Sequence, residues 1–386
     1  MPGDGGDRIP FARPALGEEE IAEVVDTLRS GWLTTGPKTR RFEEDFARSI
    51  GVPYALGTNS CTGALHIGMA ALGIKPGDEV VTSVFTFAAT ANVIVHCGAA
   101  PVFVDVDPVT LNLDVAEVAA KIGPRTRAIA AVHYAGRPAD LPALQTLCAR
   151  HDVFLVEDAA HAVGAALRGK PCGAWGDVAG FSFYANKNLT TGEGGMLTTS
   201  RADVHARART LRLQGMTRDV FRRSESTLPS WRYEIVAAGY KYAMSDIQAA
   251  IGLHQLRRLD GFQVRRRELA ARYDAGLAGI PGVTALPPPS ADAVHAYHLY
   301  VIRVGPDARL DRDALYTALV ERGIEPSVHF VPLHLQPYFQ EAWGYRAGQF
   351  PRAETAFNEV LSLPLWSTMT GGQLDRVVAT IGELLG

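Results

Sequence analysis

The stretch GFSFYANKNLTTGEGG, residues 180–195, decides how this chain is read. A β-type run, Val178 to Tyr184, gives way to a polar turn with one lysine, Lys187, and a glycine-rich exit at Gly192, Gly194 and Gly195. Upstream, Phe154-Leu155-Val156-Glu157-Asp158 is an apolar strand ending in two carboxylates. A turn amine and a strand-end carboxylate are what pyridoxal phosphate asks of a protein: one forms a Schiff base, the other faces the ring nitrogen. A Schiff-base lysine must shed its proton, so it belongs in a partly buried polar site. A lone turn lysine is more often a solvated surface group. Here the apolar strand before it and the glycines after it favour the chemical reading.

Outward from this segment, strand-like runs at 79–82, 101–105, 128–134, 153–157, 178–184 and 196–199 alternate with helical stretches at 62–72, 87–97, 114–121 and 140–151. Such alternation predicts an α/β fold, a mostly parallel sheet sandwiched by helices. Ligands on these sheets sit beyond the carboxyl ends of the strands, where Asp158 and the Lys187 turn fall. Two helices are expected earlier: Glu18–Ser30, opened by Gly17 and three glutamates that suit a helix N-terminus, and one around Thr39–Ile50. The loop Gly31-Trp32-Leu33-Thr34-Thr35-Gly36-Pro37 separates them. Residues 214–235, rich in Arg, Ser and Trp without a clear period, read as an exposed excursion. Beyond it a strong helix, Met244–Leu259, is extended after Gly261. The tail offers an edge-like strand at 297–304, helices near 311–322, 352–361 and 371–385, and a loop at 326–338. A chain of 386 residues is long for one core, so two domains are expected. They are a large domain over 1–250 that includes the N-terminal segment, and a smaller C-terminal α+β domain over 251–386.

Composition narrows the function classes. With 47% hydrophobic and 20% charged residues the chain reads as an ordinary soluble globular protein. A net charge of −3 gives no general attraction to nucleic acid or an anionic membrane. The start MPGDGGDRIP lacks the pattern of a signal peptide, and no apolar run reaches the length of a membrane span. Cys61, Cys97, Cys148 and Cys172 form no CxxC pair, so neither a metal site nor a disulfide framework is suggested. Buried thiols in a reducing cytoplasm are expected. No GxGxxG turn follows an early strand, which speaks against a nicotinamide dehydrogenase.

Several further residues fit a phosphorylated aromatic cofactor. Gly57-Thr58-Asn59-Ser60-Cys61-Thr62-Gly63-Ala64-Leu65 runs into a helix, whose free N–H groups and the Ser60 and Thr62 hydroxyls would receive a phosphate; an ordinary capped helix start reads the same way. Ser182 is another hydroxyl candidate. Phe87 could stack on the cofactor ring or sit in plain core. Asp158 would keep the ring nitrogen protonated, or cap a helix begun at Ala159. His161 could bond the ring hydroxyl or pack internally.

Taken in order, these segments resemble the sugar aminotransferases of the DegT/DnrJ/EryC1/StrS family, fold-type I pyridoxal-phosphate enzymes. The resemblance runs from about Pro14 to the last helix. It includes Gly31 to Pro37, His133-Tyr134-Ala135-Gly136 with Asp140, Glu157 to Ala162, Gly239-Tyr240-Lys241-Tyr242-Ala243-Met244-Ser245-Asp246, and Leu363-Pro364-Leu365. The resemblance implies that Lys187 bonds the cofactor and Asp158 faces its ring nitrogen. It places Thr62, Gly63 and Ser182 at the phosphate, Phe87 on the ring and His161 beside it. It implies a homodimer in which Lys241 reaches the neighbouring subunit's phosphate. Many members have Asn at the position of Lys241, Gln at His161 and His at Gln214. Thr35, Tyr184, Arg232 and His329 are expected to touch substrate, with Arg218, Arg222, Arg223 and His334 as further cations for a diphosphate. The implied reaction moves an amino group, from L-glutamate as the usual donor, onto a nucleotide-diphosphate-linked keto-deoxysugar, a 4-keto-6-deoxyhexose. A keto-cyclitol aminotransferase, a sugar dehydratase and a non-catalytic ligand-binding regulator are the alternatives. Relatives that dehydrate sugars place His where Lys187 stands, and a regulator would show an added DNA-binding module or a lost lysine.

Overall fold

The computed structural model describes residues 8–217 and 231–386. Arg218, Arg222 and Arg223 lie outside the described residues. Helices α1 (Glu18–Ser30) and α2 (Pro37–Ile50) lead into a seven-stranded sheet. Its strands are β1 (Tyr54–Thr58), β2 (Glu79–Ser83), β3 (Ala100–Val104), β4 (Thr126–Val132), β5 (Phe154–Asp158), β6 (Val178–Ser182) and β7 (Gly195–Thr199). The spatial order is β1-β7-β6-β5-β4-β2-β3. Only β7 is antiparallel to its neighbours. The parallel strands therefore share one carboxyl edge. Pairing sets Asp158 beside Gly180 and Ser182 beside Gly195 along that edge. Helices α3 (Cys61–Leu72), α4 (Ala88–His96), α5 (Val115–Lys121), α6 (Leu141–His151) and α7 (Ala202–Arg212) occupy the crossovers and flanks. The apolar side chains on the two faces fall into separate buried clusters, one around Phe46, Phe181 and Phe183 and one around Leu65, Ile67 and Leu197.

The described α/β architecture is the one expected, with differences that have physical reasons. β1 and α7 carry no local signal and are additions. β1 is made a strand by pairing with β7, far along the chain; α7 is rich in Arg and Ala and buries Val204, Ala208 and Arg212. β4 stops at Val132 because Tyr134–Gly136 form a 3-10 turn. β6 stops at Ser182 because Phe183 pairs across the turn instead, donating to Gly194 O and accepting from Thr191 N at 2.9 Å each. Tyr300–Val304 is the central strand of a second, antiparallel sheet, between Val283–Ala285 and Val360–Leu363, rather than an edge. The helix expected to 361 ends at Glu359, where that last strand begins. The loop expected at 326–338 contains a 3-10 turn at Leu333–Leu335, and a helix starts at Pro337.

One helix, α8 (Asp246–Leu277), runs through residues 250/251 and past Gly261 without a break. A capping box between Ser245 and Gln248 starts it. Its first half packs in the cluster with Phe42 and Phe46 through Ala249 and Leu253. Its second half packs in the cluster of the second sheet through Leu269, Tyr273 and Leu277. No helix among the described residues is long and apolar enough to cross a membrane.

At the start of α8 the Asp246 carboxylate, 1% exposed, gathers the N-terminus of α2. It accepts from the backbone N–H of Gly36 (2.8 Å), Lys38 (3.0 Å) and Thr39 (2.9 Å) and from the Thr39 hydroxyl (2.7 Å). Helix N-termini need such acceptors. Asp246→Ala strands these donors in a buried position and is expected to cost about 3 kcal/mol or more. Urea unfolding checks this, and an unchanged midpoint would show that the anchor is dispensable.

Candidate active site

Along the carboxyl edge of the sheet lies a cavity of about 550 Å³. Thr62, Phe87, Asp158, His161, Ser182, Tyr184, Lys187 and His329 all line it. Four strand ends bring all but His329 there: β1 leads to the start of α3, β2 to Phe87, β5 ends in Asp158, and β6 ends in Ser182. The turn after β6 folds back, with Lys187 N donating to Tyr184 O at 2.9 Å, and Gly192 (φ 81°) takes the left-handed conformation the return needs. Gly195 serves a close approach, since a Cβ there would collide with the Ser60 and Cys61 backbone.

Lys187 is half-buried, and its amine is pushed down to about 8 by loss of water, against the attraction of Cys61 and Asp158. Its Nζ lies 3.3 Å from Nε2 of His298. Burial and the neighbouring lysine hold His298 and His161 well below the usual histidine range, and His329 is lowered to about 4. The lysine is therefore ringed by neutral imidazoles. His329 Nδ1 pairs with Ser362 Oγ at 2.9 Å.

Asp158 is 6% exposed. Its Oδ2 accepts from the Thr90 hydroxyl at 2.6 Å, and its Oδ1 from the Ala160 N–H at 3.1 Å. Thr90 has one proton to give, so the Thr86 hydroxyl, 2.9 Å away, donates to Thr90. The adjacent carboxylate, Glu157, is on the other face of β5 and does different work. It accepts from the N–H groups of Gly173, Trp175 and Gly176 at 2.7–2.8 Å and from His133 Nε2 at 3.0 Å. His133 Nδ1 in turn accepts from Ala139 N–H, so Nε2 donates to Glu157 and the ring braces the buried group His133, Glu157 and Cys172.

At the start of α3, Ser60 caps the helix by accepting from Gly63 N–H at 3.0 Å. Gly63 is thus committed to the cap and lies outside the cavity lining, while the N–H groups of Cys61 and Thr62 meet no acceptor among the described residues. Phe87 is 63% exposed beside the cavity, so the plain-core reading fails for it. Three other expected residues lie outside the lining. The Thr35 hydroxyl donates to Met244 O at 2.6 Å. Arg232 and Lys241 are exposed, and the Lys241 backbone bridges Leu213. His334 is unavailable to any ligand: it is fully buried and bonded to Glu354 at 2.8 Å. Of the cysteines, Cys97 is only half-buried; all four are free thiols.

His298, Asn188 and Thr90 were missed in the sequence. Asn188 is adjacent to Lys187 in the chain, a signal that was there to use. His298 enters from the tail, where it reads as part of the edge-like strand at 297–304.

These groups fit pyridoxal phosphate. The unclaimed N–H groups of Cys61 and Thr62 and the Ser182 hydroxyl suit its phosphate, the exposed Phe87 its ring, and Asp158 its nitrogen. His161 Nδ1 is buried without a partner at the same cavity, an orphan that a ring oxygen would satisfy. Bound there, the cofactor supplies the electron-withdrawing ring that lets a C–H bond beside an amino group ionise.

The sheet order is that of a fold-type I pyridoxal-phosphate aminotransferase. The DegT/DnrJ/EryC1/StrS aminotransferase family model matches residues 14–382, and the chain belongs to that family of pyridoxal-phosphate-dependent sugar aminotransferases. Among relatives, the spore coat polysaccharide biosynthesis protein SpsC of Bacillus subtilis is 45% identical over 379 residues, 98% of this chain and 97% of its own. Among solved structures, the putative sugar aminotransferase Spr1654 from Streptococcus pneumoniae, in its PMP form, superposes with a TM-score of 0.92 at 34% identity, covering 97% of this chain and 98% of that one. The aminotransferase TlmJ from Streptoalloteichus hindustanus gives 0.89 at 40% identity, with the same coverage.

The lowered basicity of Lys187 has a measurable stability consequence. Between about 8 and the ordinary 10.5 the unfolded chain holds a proton that the folded chain has lost. Stability contributed by this position therefore rises with pH across that window. In the cofactor-free protein, Lys187→Met is expected to raise stability at neutral pH by up to about 3 kcal/mol. The gain should shrink to nothing near pH 10.5. Urea unfolding at the two pH values checks it; a gain that ignores pH would mean the ammonium is not the penalised group.

Proposed function

We propose that this enzyme transfers an amino group from L-glutamate to a nucleotide-diphosphate-linked keto-deoxysugar, a 4-keto-6-deoxyhexose. The observation that carries the sugar half is the character of the cavity wall. Around Lys187 it offers hydroxyls, neutral imidazoles, aromatic rings and the carboxylates of Asp158 and Glu193, with no guanidinium among the described lining residues. Such a wall suits an uncharged polyhydroxylated ring beside the lysine, with Tyr184 and His329 as its contacts. The diphosphate then needs a cation from outside this lining, with Arg232 as the candidate among the described residues. A keto-cyclitol would also suit the wall and is separated by assay. A dehydratase is disfavoured by Lys187 itself, and a non-catalytic regulator by the complete site.

In this reading Lys187 Nζ takes the proton from the donor carbon that bears the amine. In the second half-reaction it delivers a proton to the sugar carbon that receives the amine. An amine lowered to about 8 is well matched to both tasks near neutral pH. Asp158 holds a proton on the ring nitrogen, and Thr90 and Ala160 N–H keep that carboxylate aimed. Thr62 and Ser182 hold the phosphate. With four free thiols, a reducing cytoplasm remains our reading of its compartment.

We infer a homodimer with shared sites. Lys241 is exposed near the phosphate loop, where its carbonyl accepts from Asn59 Nδ2 at 3.4 Å. Close to it in the chain, Trp231, Ile235 and Val236 are 75%, 68% and 61% exposed, a patch a second copy would cover.

Three experiments test these readings. The purified protein should be yellow and lose that colour on addition of L-glutamate, and a panel of keto sugars should then accept the amine. Asp158→Asn should reduce turnover about a hundredfold or more, and an unchanged rate would place the nitrogen's partner elsewhere. For the dimer, Lys187→Ala and Lys241→Ala should each be inactive alone. Mixed in equal amounts and allowed to exchange subunits, they should recover about a quarter of wild-type activity; no recovery would mean each site is built from one chain.

A further inference from the structure

We propose that His298, itself oriented by Asn188, is a positioning residue for Lys187, holding one N–H of the amine on its Nε2 so that the amine's lone pair faces the cavity. The proposal rests on the aminotransferase reading for its functional meaning, though not for its geometry.

The directions of the hydrogen bonds follow from the chain of partners. Asn188 Nδ2 donates to Ala296 O at 2.8 Å, which fixes the amide and leaves its Oδ1 facing His298 Nδ1 at 3.2 Å. A carbonyl oxygen only accepts, so Nδ1 carries the imidazole proton. In a neutral ring Nε2 then keeps its lone pair, and that atom lies 3.3 Å from Lys187 Nζ. Each link of the run Lys187 to His298 to Asn188 to Ala296 O pairs a donor with an acceptor. Both intermediate residues are buried, Asn188 at 6% and His298 at 5% exposed, so water does not compete for these atoms. The His298 ring is also packed on the His161 ring, with centroids 4.3 Å apart.

The surroundings decide that His298 orients the lysine rather than acting as a second base. The charged and titratable groups facing it are Lys187, His161, Arg266 and His329, all basic, and with burial they oppose a charge on its ring. Lys187 is faced in addition by Cys61 and Asp158. The proton shared across the Nζ–Nε2 contact therefore stays on the lysine. A carboxylate in place of His298 would hold Nζ just as firmly, but would stabilise the ammonium and remove the base. A neutral acceptor gives direction while adding far less basicity than a carboxylate would.

The test uses the full chain freed of cofactor, so that its outcome stands whether or not the aminotransferase reading does. In histidine ¹⁵N-labelled protein, with the signal assigned by comparison with His298→Gln, His298 should show a protonated Nδ1 and an unprotonated Nε2 at neutral pH. The opposite tautomer, or an imidazolium, would overturn the proposal. In the same cofactor-free protein, the pH midpoint for reaction of Lys187 with an amine-acylating reagent is read by peptide mapping. His298→Phe, which keeps a ring but removes the acceptor from the ammonium, should lower that midpoint by about one unit. His298→Gln, with an amide oxygen in reach, should restore part of it. An unmoved midpoint in His298→Phe would overturn the proposal, and the wild-type tautomer decides it if that variant fails to fold. In the loaded enzyme, loss of the acceptor should cut kcat at least about tenfold with KM nearly unchanged. A fall confined to KM would instead make His298 a substrate contact.

Discussion

The burial of one ammonium group governs the rest of this site. Placing a lysine in a partly closed cavity at a sheet edge costs free energy whenever the group is charged. The fold lowers that cost by letting the amine lose its proton rather than by giving it a tight salt bridge. The imidazoles of His161, His298 and His329 stay neutral beside it. Asp158 shares the cavity, but its oxygens are engaged by Thr90 and Ala160 N–H. The same desolvation that penalises the cation yields a base active near neutral pH.

The paired carboxylates at the end of β5 show how backbone geometry divides labour between neighbours. Successive strand residues point to opposite faces. Asp158 thus reaches the cavity, while Glu157 turns to the opposite side and braces the 173–176 loop with three backbone N–H donors. Two residues of like chemistry, side by side in sequence, thereby hold separate posts: one at the site, one in the scaffold that fixes the strand end.

Much of the large sheet and the centre of the site was legible in the sequence because the signals are local. The helix Glu18–Ser30 announces itself by its acidic first turn and its closing Gly31, and the strand-turn around Lys187 by its composition. What was not legible depends on contacts between distant segments. Tyr54–Thr58 is a strand because Gly195–Thr199 lies against it. Tyr300–Val304 is central because strands from both sides join it. Gly63 and Thr35 have the right residue types for ligand contact, yet their polar groups are committed to Ser60 and Met244. His298 sits over a hundred residues from Lys187 in the chain, and no local pattern marks the meeting.

The unbroken helix Asp246–Leu277 also constrains how the molecule can move. It is embedded at one end among the side chains behind the catalytic sheet and at the other among those of the small antiparallel sheet. A rod fastened into two cores transmits torque instead of hinging, and bending it would break backbone hydrogen bonds. Wide closure of one body over the other is therefore an expensive route for admitting a bulky substrate. Traffic through the cavity falls to shorter-range adjustments at its mouth, where Phe87 and Tyr184 stand half in solvent.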